Sequence, residues 1–188
     1  MGSEMCIRDR SKECYALDVA LGCSGWVYGL SVIAGLLSKE GITKALLLAG
    51  DAKKRAQGAS DPLFGHAGTV TAVEYSEGAA GFKFHVGTDG SGFDAIITPD
   101  GGSRNQFTED SLKLIQDSDG VTRHRLQTVM KGMDVFAFGI TTVPKTVKKL
   151  LEKHQISIDS IDYFVFHQAN KMMNEKIRKL SLIHISEP

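Results

Sequence analysis

The amino-acid sequence predicts an α/β protein, and three observations support that fold class. Apolar runs of strand length alternate with longer segments of helix length along the middle of the chain. Glycine-containing turns separate these segments, as expected where strands and helices are joined. The 188 residues are 42% hydrophobic and 23% charged, which is the composition of a soluble globular protein.

The first predicted elements are two buried strands with a helix between them. Residues 15–21 (YALDVAL) form a short apolar run suited to a buried strand, and residues 22–25 turn the chain. Residues 26–37 carry apolar side chains on nearly every face, which predicts a helix that is buried all round. Residues 45–49 (ALLLA), ended by Gly50, are typical of an interior parallel strand.

A predicted antiparallel pair and a long loop follow. Residues 69–75 and 81–86 alternate apolar and polar side chains, with a Glu-Gly break between them, so we predict that they pair with each other. Residues 87–106 are rich in Gly, Asp and Ser. This composition predicts mainly loop, with one short strand at residues 95–98.

The last part of the fold is predicted to contain two helices around a strand. Residues 133–153 form a long helical pattern, in which Pro144 should either kink the helix or start a new one. Residues 163–166 (YFVF) predict another buried strand. Residues 170–180 are amphipathic, which predicts the final helix.

Charge, hydropathy and cysteine content indicate which classes of partner and which cellular location to expect. Lysine plus arginine equals aspartate plus glutamate at 22 each, so we expect neither nucleic acid nor a membrane as a partner. The chain has no apolar run of the roughly 18 residues that a spanning helix needs, and no secretory signal pattern at its N-terminus. Cys6, Cys14 and Cys23 are an odd number of cysteines and lack the paired spacing of metal ligands. This pattern does not indicate a disulfide framework, so we expect a cytoplasmic location, where thiols stay reduced.

The two ends differ from the rest of the chain. Residues 1–10 (MGSEMCIRDR) show neither a helical nor a strand period. Residues 181–188 (SLIHISEP) follow a helical pattern but lack the residues that typically cap the end of a helix. Both ends resemble translated sequencing-adapter DNA, and we expect them to be non-native segments. Ordinary frayed termini are the alternative.

Cys23 is the first candidate for chemistry, because it lies where a predicted strand turns into a predicted helix. The free N–H groups and the positive end of the helix dipole would face this position and stabilise a thiolate, the nucleophilic form of cysteine. Gly25 would allow a substrate carbonyl to approach closely. The alternative is a small buried cysteine that fills space before an apolar helix.

His167 is the second candidate, because it ends a predicted strand. Ligands of open α/β sheets bind beyond the carboxyl ends of strands, so a histidine there is well placed for proton transfer or oxyanion stabilisation. A structural histidine is the alternative. Cys23 and His167 lie in separate α/β segments, and a nucleophile and its partner often come from separate loops in this way.

Five motifs in order cover nearly everything from residue 14 to residue 180. They are DVALGCSG at 18–25, LFG at 63–65 followed by Ala67-Gly68, PDGGSR at 99–104, MKGMDVF at 130–136 and HQAN at 167–170. In this order they resemble the motifs of the 3-oxoacyl-[acyl-carrier-protein] synthase III (ketoacyl synthase III) family. The first resembles its active-site cysteine motif, and the last is the HQAN of that family.

The resemblance implies a thiolase-like fold, layered α-β-α-β-α, which this chain covers only in part. Residues 11–100 would be the latter part of the N-terminal half and carry Cys23. Residues 101–180 would be the earlier part of the C-terminal half and carry His167. The family also implies a homodimer when the protein is complete.

The reaction implied by the resemblance is a decarboxylative Claisen condensation in fatty acid or related lipid or polyketide synthesis. Cys23 would accept the acyl group of acyl-CoA, and the carbanion from malonyl-[acyl-carrier protein] would attack it. His167 would stabilise the charge that develops on the malonyl thioester oxygen. Asn170 would line the pantetheine tunnel as a substrate-binding residue. The two thioesters are substrates, so no cofactor is implied.

Several features of the chain depart from the family pattern. The family's catalytic asparagine and its glycine-rich oxyanion loop follow the last motif seen here, so we expect no useful condensing activity from these 188 residues. His66 stands where many members have aspartate, and residues 57–62 lack an Asp-Arg pair that helps to hold CoA. Met172 stands where an arginine linked to carrier-protein docking is common, although Lys171 beside it could compensate.

Two alternative functions remain open at this point. One is an acyltransferase of the same fold that is acylated on Cys23 but transfers the acyl group to an alcohol or an amine. The other is a non-catalytic subunit of the same fold. Retention of both Cys23 and His167 disfavours a non-catalytic subunit, because such a subunit has no need of a nucleophile.

Overall fold

The structure, a computed structural model, describes residues 13–51, 67–117, 120–168 and 170–181. The chain divides into two compact units, Met1–Phe84 and His85–Pro188. Among the described residues, no helix combines the length and the apolar character needed to cross a membrane.

The described residues of the first unit form one helix and a two-stranded sheet. Helix α1 spans Gly25–Leu36, and strands β1 (Lys44–Asp51) and β2 (Ala67–Glu74) pair along their whole length. Gly29 is buried where α1 approaches β1, and a Cβ atom built there would lie 2.6 Å from Cδ1 of Leu47. The absence of a side chain on Gly29 therefore lets the helix lie close to the sheet.

The prediction of a parallel strand at residues 45–49 is wrong in direction. Strand β1 pairs antiparallel with β2, with Leu48 opposite Val70. Leu48 is 43% exposed and Val70 is 65% exposed, so only one face of this sheet is covered within the described residues. A continuous apolar run indicates that a strand tends to be buried, but it carries no information about the direction of its neighbour.

The predicted pairing of residues 69–75 with residues 81–86 is also wrong. The first segment forms β2 but pairs with β1, and the second forms no strand. Alternation of apolar and polar side chains specifies the two faces of a strand. It does not specify the partner, and β1 offers β2 eight residues of continuous pairing.

Two predicted buried strands have no regular secondary structure. Residues 15–21 and residues 163–166 form no strand, and their side chains include Tyr15 at 60% and Val165 at 78% exposure. A strand is defined by hydrogen bonds to a neighbouring strand. No described segment pairs with either run, so their apolar composition alone does not produce a strand.

Helix α1 confirms the predicted helix at residues 26–37 but not its burial on all sides. Trp26, Val27 and Val32 are between 36% and 44% exposed, whereas Leu30 is 6% exposed. Within the described residues, α1 packs against strand β1. A helix that contacts one layer buries one stripe of its surface, whatever its composition.

The second unit contains short strands followed by two packed helices. Strand β3 (Ile96–Ile97) pairs antiparallel with β6 (Val129–Met130), and β4 (Ile115–Gln116) pairs antiparallel with β5 (Thr122–Arg123). Strand β3 confirms the short strand predicted at residues 95–98.

The two helices of the second unit agree closely with the sequence patterns. Helix α2 spans Gly132–His154 and continues through Pro144 as one helix, so Pro144 does not start a new one. Helix α3 spans Lys171–Leu180. The helices pack where a Cβ built on Gly139 would lie 2.5 Å from Sδ of Met173.

Candidate active site

Cys23 lies in the turn that leads directly into helix α1. Its side chain is exposed and its thiol is free, so it does not fill a buried space. The turn is closed by the N–H of Gly25, which donates to the carbonyl of Gly22 at 2.9 Å. The next hydrogen bond runs from the N–H of Tyr28 to the carbonyl of Ser24 at 3.1 Å and begins the helix.

Cys23 immediately precedes the N-cap of helix α1. Ser24 is the N-cap of α1, and its side chain makes no capping hydrogen bond. The first turn of α1 contains no acidic residue. The positive end of the helix dipole is therefore not offset by a carboxylate in the first turn of this helix.

Cys14 has a different environment, although it is also exposed and free. It lies in a segment without regular secondary structure, and its thiol contacts the carbonyl of Tyr15 at 3.5 Å. No helix begins at Cys14, whereas helix α1 begins directly after the turn that carries Cys23. The two thiols therefore form a natural pair for comparing reactivity.

His167 follows a segment of the second unit that has no regular secondary structure, and its side chain is exposed. Its backbone carbonyl accepts a hydrogen bond from Nδ2 of Asn174, which lies on helix α3, at 3.0 Å. An exposed imidazole on a loop that is attached to a helix is accessible to a substrate thioester. Such an imidazole can donate a hydrogen bond to a developing oxyanion.

Asn170 is the N-cap of helix α3. Its Oδ1 accepts a hydrogen bond from the N–H of Met173 at 3.0 Å, so the side chain supports the helix start. The sequence contained a signal for this role, because asparagine immediately before an amphipathic pattern is a preferred N-cap. The predicted part of Asn170 in substrate binding stays a prediction.

Asp100, at the start of the PDGGSR loop, lies in a cluster of polar side chains. Nε and Nη2 of Arg125 donate to the two carboxylate oxygens of Asp100 at 2.8 and 2.9 Å. Oγ of Ser111 donates to Oδ2 at 2.9 Å and is completely buried. The hydrogen bond from Arg125 is the main reason why the pKa of Asp100 lies below its usual value, and the hydrogen bond from Ser111 adds to it.

The remainder of the PDGGSR loop is exposed and turns at Gly101. Gly101 has a φ of +95°, which favours glycine, and its N–H donates to the carbonyl of Asn105 at 2.9 Å. Nδ2 of Asn105 donates to the carbonyl of Pro99 at 3.0 Å and closes the loop. The cluster was missed at the level of sequence, because nothing in the local pattern links Asp100 to Ser111 or Arg125.

The candidate residues are distributed between the two units. Cys23 belongs to the first unit, and His167 and Asn170 share one loop of the second. The LFG motif, His66 and residues 57–62 lie outside the described residues, as does Ala169 of the HQAN motif. Within the described part of the chain, no group of three or more His, Cys, Asp or Glu side chains could hold a metal ion.

The sequence is similar to a family model and to curated proteins. Residues 17–90 match the sequence model of 3-oxoacyl-[acyl-carrier-protein (ACP)] synthase III. The chain is 30% identical to a beta-ketoacyl-[acyl-carrier-protein] synthase III of Streptococcus gordonii, covering 92% of this chain and 51% of that protein. It is 32% identical to beta-ketoacyl-[acyl-carrier-protein] synthase III 2 of Bacillus subtilis, covering 86% of this chain and 48% of that protein.

Comparison with solved structures agrees with the sequence comparison. A crystal structure of a 3-oxoacyl-(acyl-carrier-protein) synthase III matches with a TM-score of 0.83 and 34% identity, over 94% of this chain and 55% of that one. A 3-oxoacyl-(acyl-carrier protein) synthase from Burkholderia xenovorans matches with a TM-score of 0.72 and 31% identity, over 92% of this chain and 49% of that one. The chain thus spans about half the length of the relatives that it matches.

Proposed function

We propose that the chain is part of a condensing acyltransferase, because its sequence and its thiolase-like fold resemble those of the 3-oxoacyl-[acyl-carrier-protein] synthase III family. The proposed reaction joins an acyl group from acyl-CoA to a two-carbon unit from malonyl-[acyl-carrier protein]. It would serve fatty acid synthesis or a related lipid or polyketide pathway. The observation that most directly supports this proposal is that the free, exposed thiol of Cys23 lies at the start of helix α1 within the DVALGCSG motif.

The first proposed step transfers the acyl group to Cys23. The thiolate attacks the carbonyl carbon of acyl-CoA, a new carbon–sulfur bond forms, and the bond to the sulfur of CoA breaks. CoA leaves as a thiolate and takes up a proton. The backbone N–H of Cys23 would donate to the oxygen of the tetrahedral intermediate, as half of an oxyanion hole.

The second proposed step forms the new carbon–carbon bond. Malonyl-[acyl-carrier protein] loses CO2, and the electron pair of the broken bond moves onto the thioester as an enolate. The His167 imidazole would stabilise the negative oxygen of this enolate. The α-carbon then attacks the acyl carbonyl, and Cys23 leaves as a thiolate, which restores the starting state.

The wider arrangement of the protein is part of the same proposal. Residues 11–100 would supply the latter part of an N-terminal thiolase-like half and residues 101–180 the earlier part of a C-terminal half. Asn170 would line the path of the pantetheine arm while it caps helix α3. We expect a cytoplasmic homodimer that interacts with acyl carrier protein and needs no cofactor beyond its two substrates.

The test of acyl transfer uses the full-length protein encoded by the gene that contains residues 14–180. The purified protein is incubated with acyl-CoA, and the mass of each cysteine peptide is measured. We expect a thioester adduct on the Cys23 peptide, which Cys23→Ser abolishes and Cys14→Ser preserves. If Cys14 is acylated equally fast, or if Cys23 is not acylated, the proposed nucleophile is wrong.

The test of condensation measures CO2 release from malonyl-[acyl-carrier protein] by the acylated protein. We expect His167→Ala to slow release by about 10²-fold or more while acylation of Cys23 continues, because the loss of one oxyanion donor has an effect of this size. His85→Gln is the matched control and should leave release unchanged. Acylation without CO2 release, followed by transfer to an added alcohol or amine, would replace this proposal with the alternative acyltransferase.

A further inference from the structure

The loop that carries His167 is attached to helix α3 at two points. Nδ2 of Asn174 donates to the backbone carbonyl of His167 at 3.0 Å, seven residues earlier in the chain. Oδ1 of Asn170 accepts from the N–H of Met173 at 3.0 Å and so joins the loop to the first turn of α3. Asn174 is the only one of these side chains that contacts His167 directly.

Helix α3 is itself held firmly against helix α2. Ile177 is 3% exposed, and Met173 packs where Gly139 has no side chain. A Cβ on Gly139 would lie 2.5 Å from the sulfur of Met173, so the two helices are in close contact at this point. The hydrogen bond from α3 to the His167 carbonyl therefore attaches the loop to a helix that is itself firmly packed in the second unit.

We propose that Asn174 is a positioning residue that sets the orientation of His167 by anchoring its backbone carbonyl to helix α3. The inference rests on the proposed role of His167 in stabilising the enolate. The anchor fixes one end of the His167 peptide unit, so it restricts the directions in which the imidazole can point. Catalytic effects of this kind are large, because a displacement of about 1 Å can lower a rate by about 10²-fold.

The chemistry of position 174 can be separated from its size. A leucine has nearly the same shape as asparagine but cannot donate a hydrogen bond, so Asn174→Leu removes the anchor without leaving a large space. Asn174→Gln keeps the amide donor on a longer side chain and should restore part of the function. Glu175→Gln is the matched control, because it removes only the ion pair between Glu175 and Arg178 on the same helix.

The experiment measures two half-reactions and one structural property in the full gene product. With Asn174→Leu we expect CO2 release from malonyl-[acyl-carrier protein] to fall by about tenfold or more. Acylation of Cys23 by acyl-CoA should change by less than about twofold, because Cys23 lies in the other unit. Amide hydrogen exchange in residues 167–170 should become faster in Asn174→Leu and return towards the wild-type rate in Asn174→Gln.

Each other outcome overturns the inference. Equal loss of acylation and CO2 release would show that Asn174 only supports the fold, and so would a similar loss with Glu175→Gln. Unchanged CO2 release, with or without faster hydrogen exchange, would show that the anchor does not orient His167. Failure of the wild-type protein to become acylated or to release CO2 would instead refute the proposed function. The two failures can be distinguished, because hydrogen exchange reports whether Asn174 holds the loop even when no reaction occurs.

Discussion

The turn that carries Cys23 and the loop that carries His167 are held in different ways. The Cys23 turn is closed by a backbone hydrogen bond and continues into helix α1, which packs through Gly29 on Leu47 of the sheet. The His167 loop is held by polar side chains of helix α3 and its cap. The position of Cys23 therefore depends on close apolar packing, whereas the position of His167 depends on a few directional hydrogen bonds.

The two arrangements respond to different perturbations. Close packing is sensitive to added volume, because an extra methyl group has no space to enter. Directional hydrogen bonds are sensitive to the loss of a donor or an acceptor, and also to pH where one partner is a carboxylate, as at Asp94 and Asp100 of the second unit. Four predictions test this difference, from the largest expected effect to the smallest.

The largest effect is expected from Gly50→Ala in the sheet beneath helix α1. A Cβ at this position would lie 2.6 Å from the backbone oxygen of Ala67 and 2.7 Å from Cα of Gly68. Backbone atoms cannot rotate away, so we expect the free energy of unfolding to fall by about 1–3 kcal/mol in urea titrations. Gly68→Ala is the control, since a Cβ at that position would have no neighbour within 4 Å, and a similar loss there would contradict the prediction.

A smaller loss is expected from Gly29→Ala, at the contact between α1 and β1. The new methyl group would meet the end of the Leu47 side chain, which can move, and alanine also favours the helix by about 1 kcal/mol. We therefore expect a net loss of about 1 kcal/mol in thermal or urea unfolding. Gly35→Ala in the same helix has free space around its Cβ and should instead stabilise the protein by about 0.5–1 kcal/mol.

Removal of the cap of helix α3 should have an effect of similar or smaller size in the second unit. In Asn170→Ala the N–H of Met173 loses its side-chain acceptor, which typically costs about 1 kcal/mol. Asn170→Asp keeps an oxygen acceptor and should remain close to the wild type in stability. If alanine and aspartate at this position gave equal stability in urea titrations, the side-chain cap would not contribute.

The smallest effect is expected from pH, through the carboxylates of the second unit. Hydrogen bonds from Arg125 and Ser111 lower the pKa of Asp100, and a hydrogen bond from Lys131 lowers the pKa of Asp94. Their stabilising contributions are therefore present above the unfolded pKa of about 3.9 and are lost as the pH falls through the lower folded values.

The measurement for this pH effect is the melting temperature between pH 2 and pH 7, at low and high salt. The contribution of the pair between Asp94 and Lys131 should be the weaker one, because solvent and salt screen exposed pairs. Asp100→Asn should be less stable than the wild type at neutral pH and should lose less stability on acidification. An equal acid-induced loss in both proteins would show that Asp100 does not contribute.

Much of the helical structure was predictable because a helix is specified by residues close together in sequence. The patterns at residues 133–153 and 170–180 became Gly132–His154 and Lys171–Leu180. Strand partners were not predictable in the same way. The runs at residues 45–49 and 69–75 indicated strands correctly, but nothing within either run indicated that the two pair with each other.

The candidate site divides along the same line. Cys23 was predicted between a strand and a helix. The structure places it in the turn before helix α1, but residues 15–21 form no strand. Asn174 and the contacts of Asp100 were missed. Asn174 is an ordinary polar residue on a helix, and its importance comes only from the His167 carbonyl that reaches it when the loop folds back.

The sequence by itself indicated the α/β class, the extents of the helices, the resemblance to one family, and Cys23 and His167 as the candidate nucleophile and its partner. These properties depend on short-range periodicity and on residues within single motifs. The tertiary structure alone decided which strands pair, which faces are covered and which side chains anchor the His167 loop and the PDGGSR loop. Such contacts join residues that are distant along the chain, so their formation depends on the packing of whole elements and not on any local pattern.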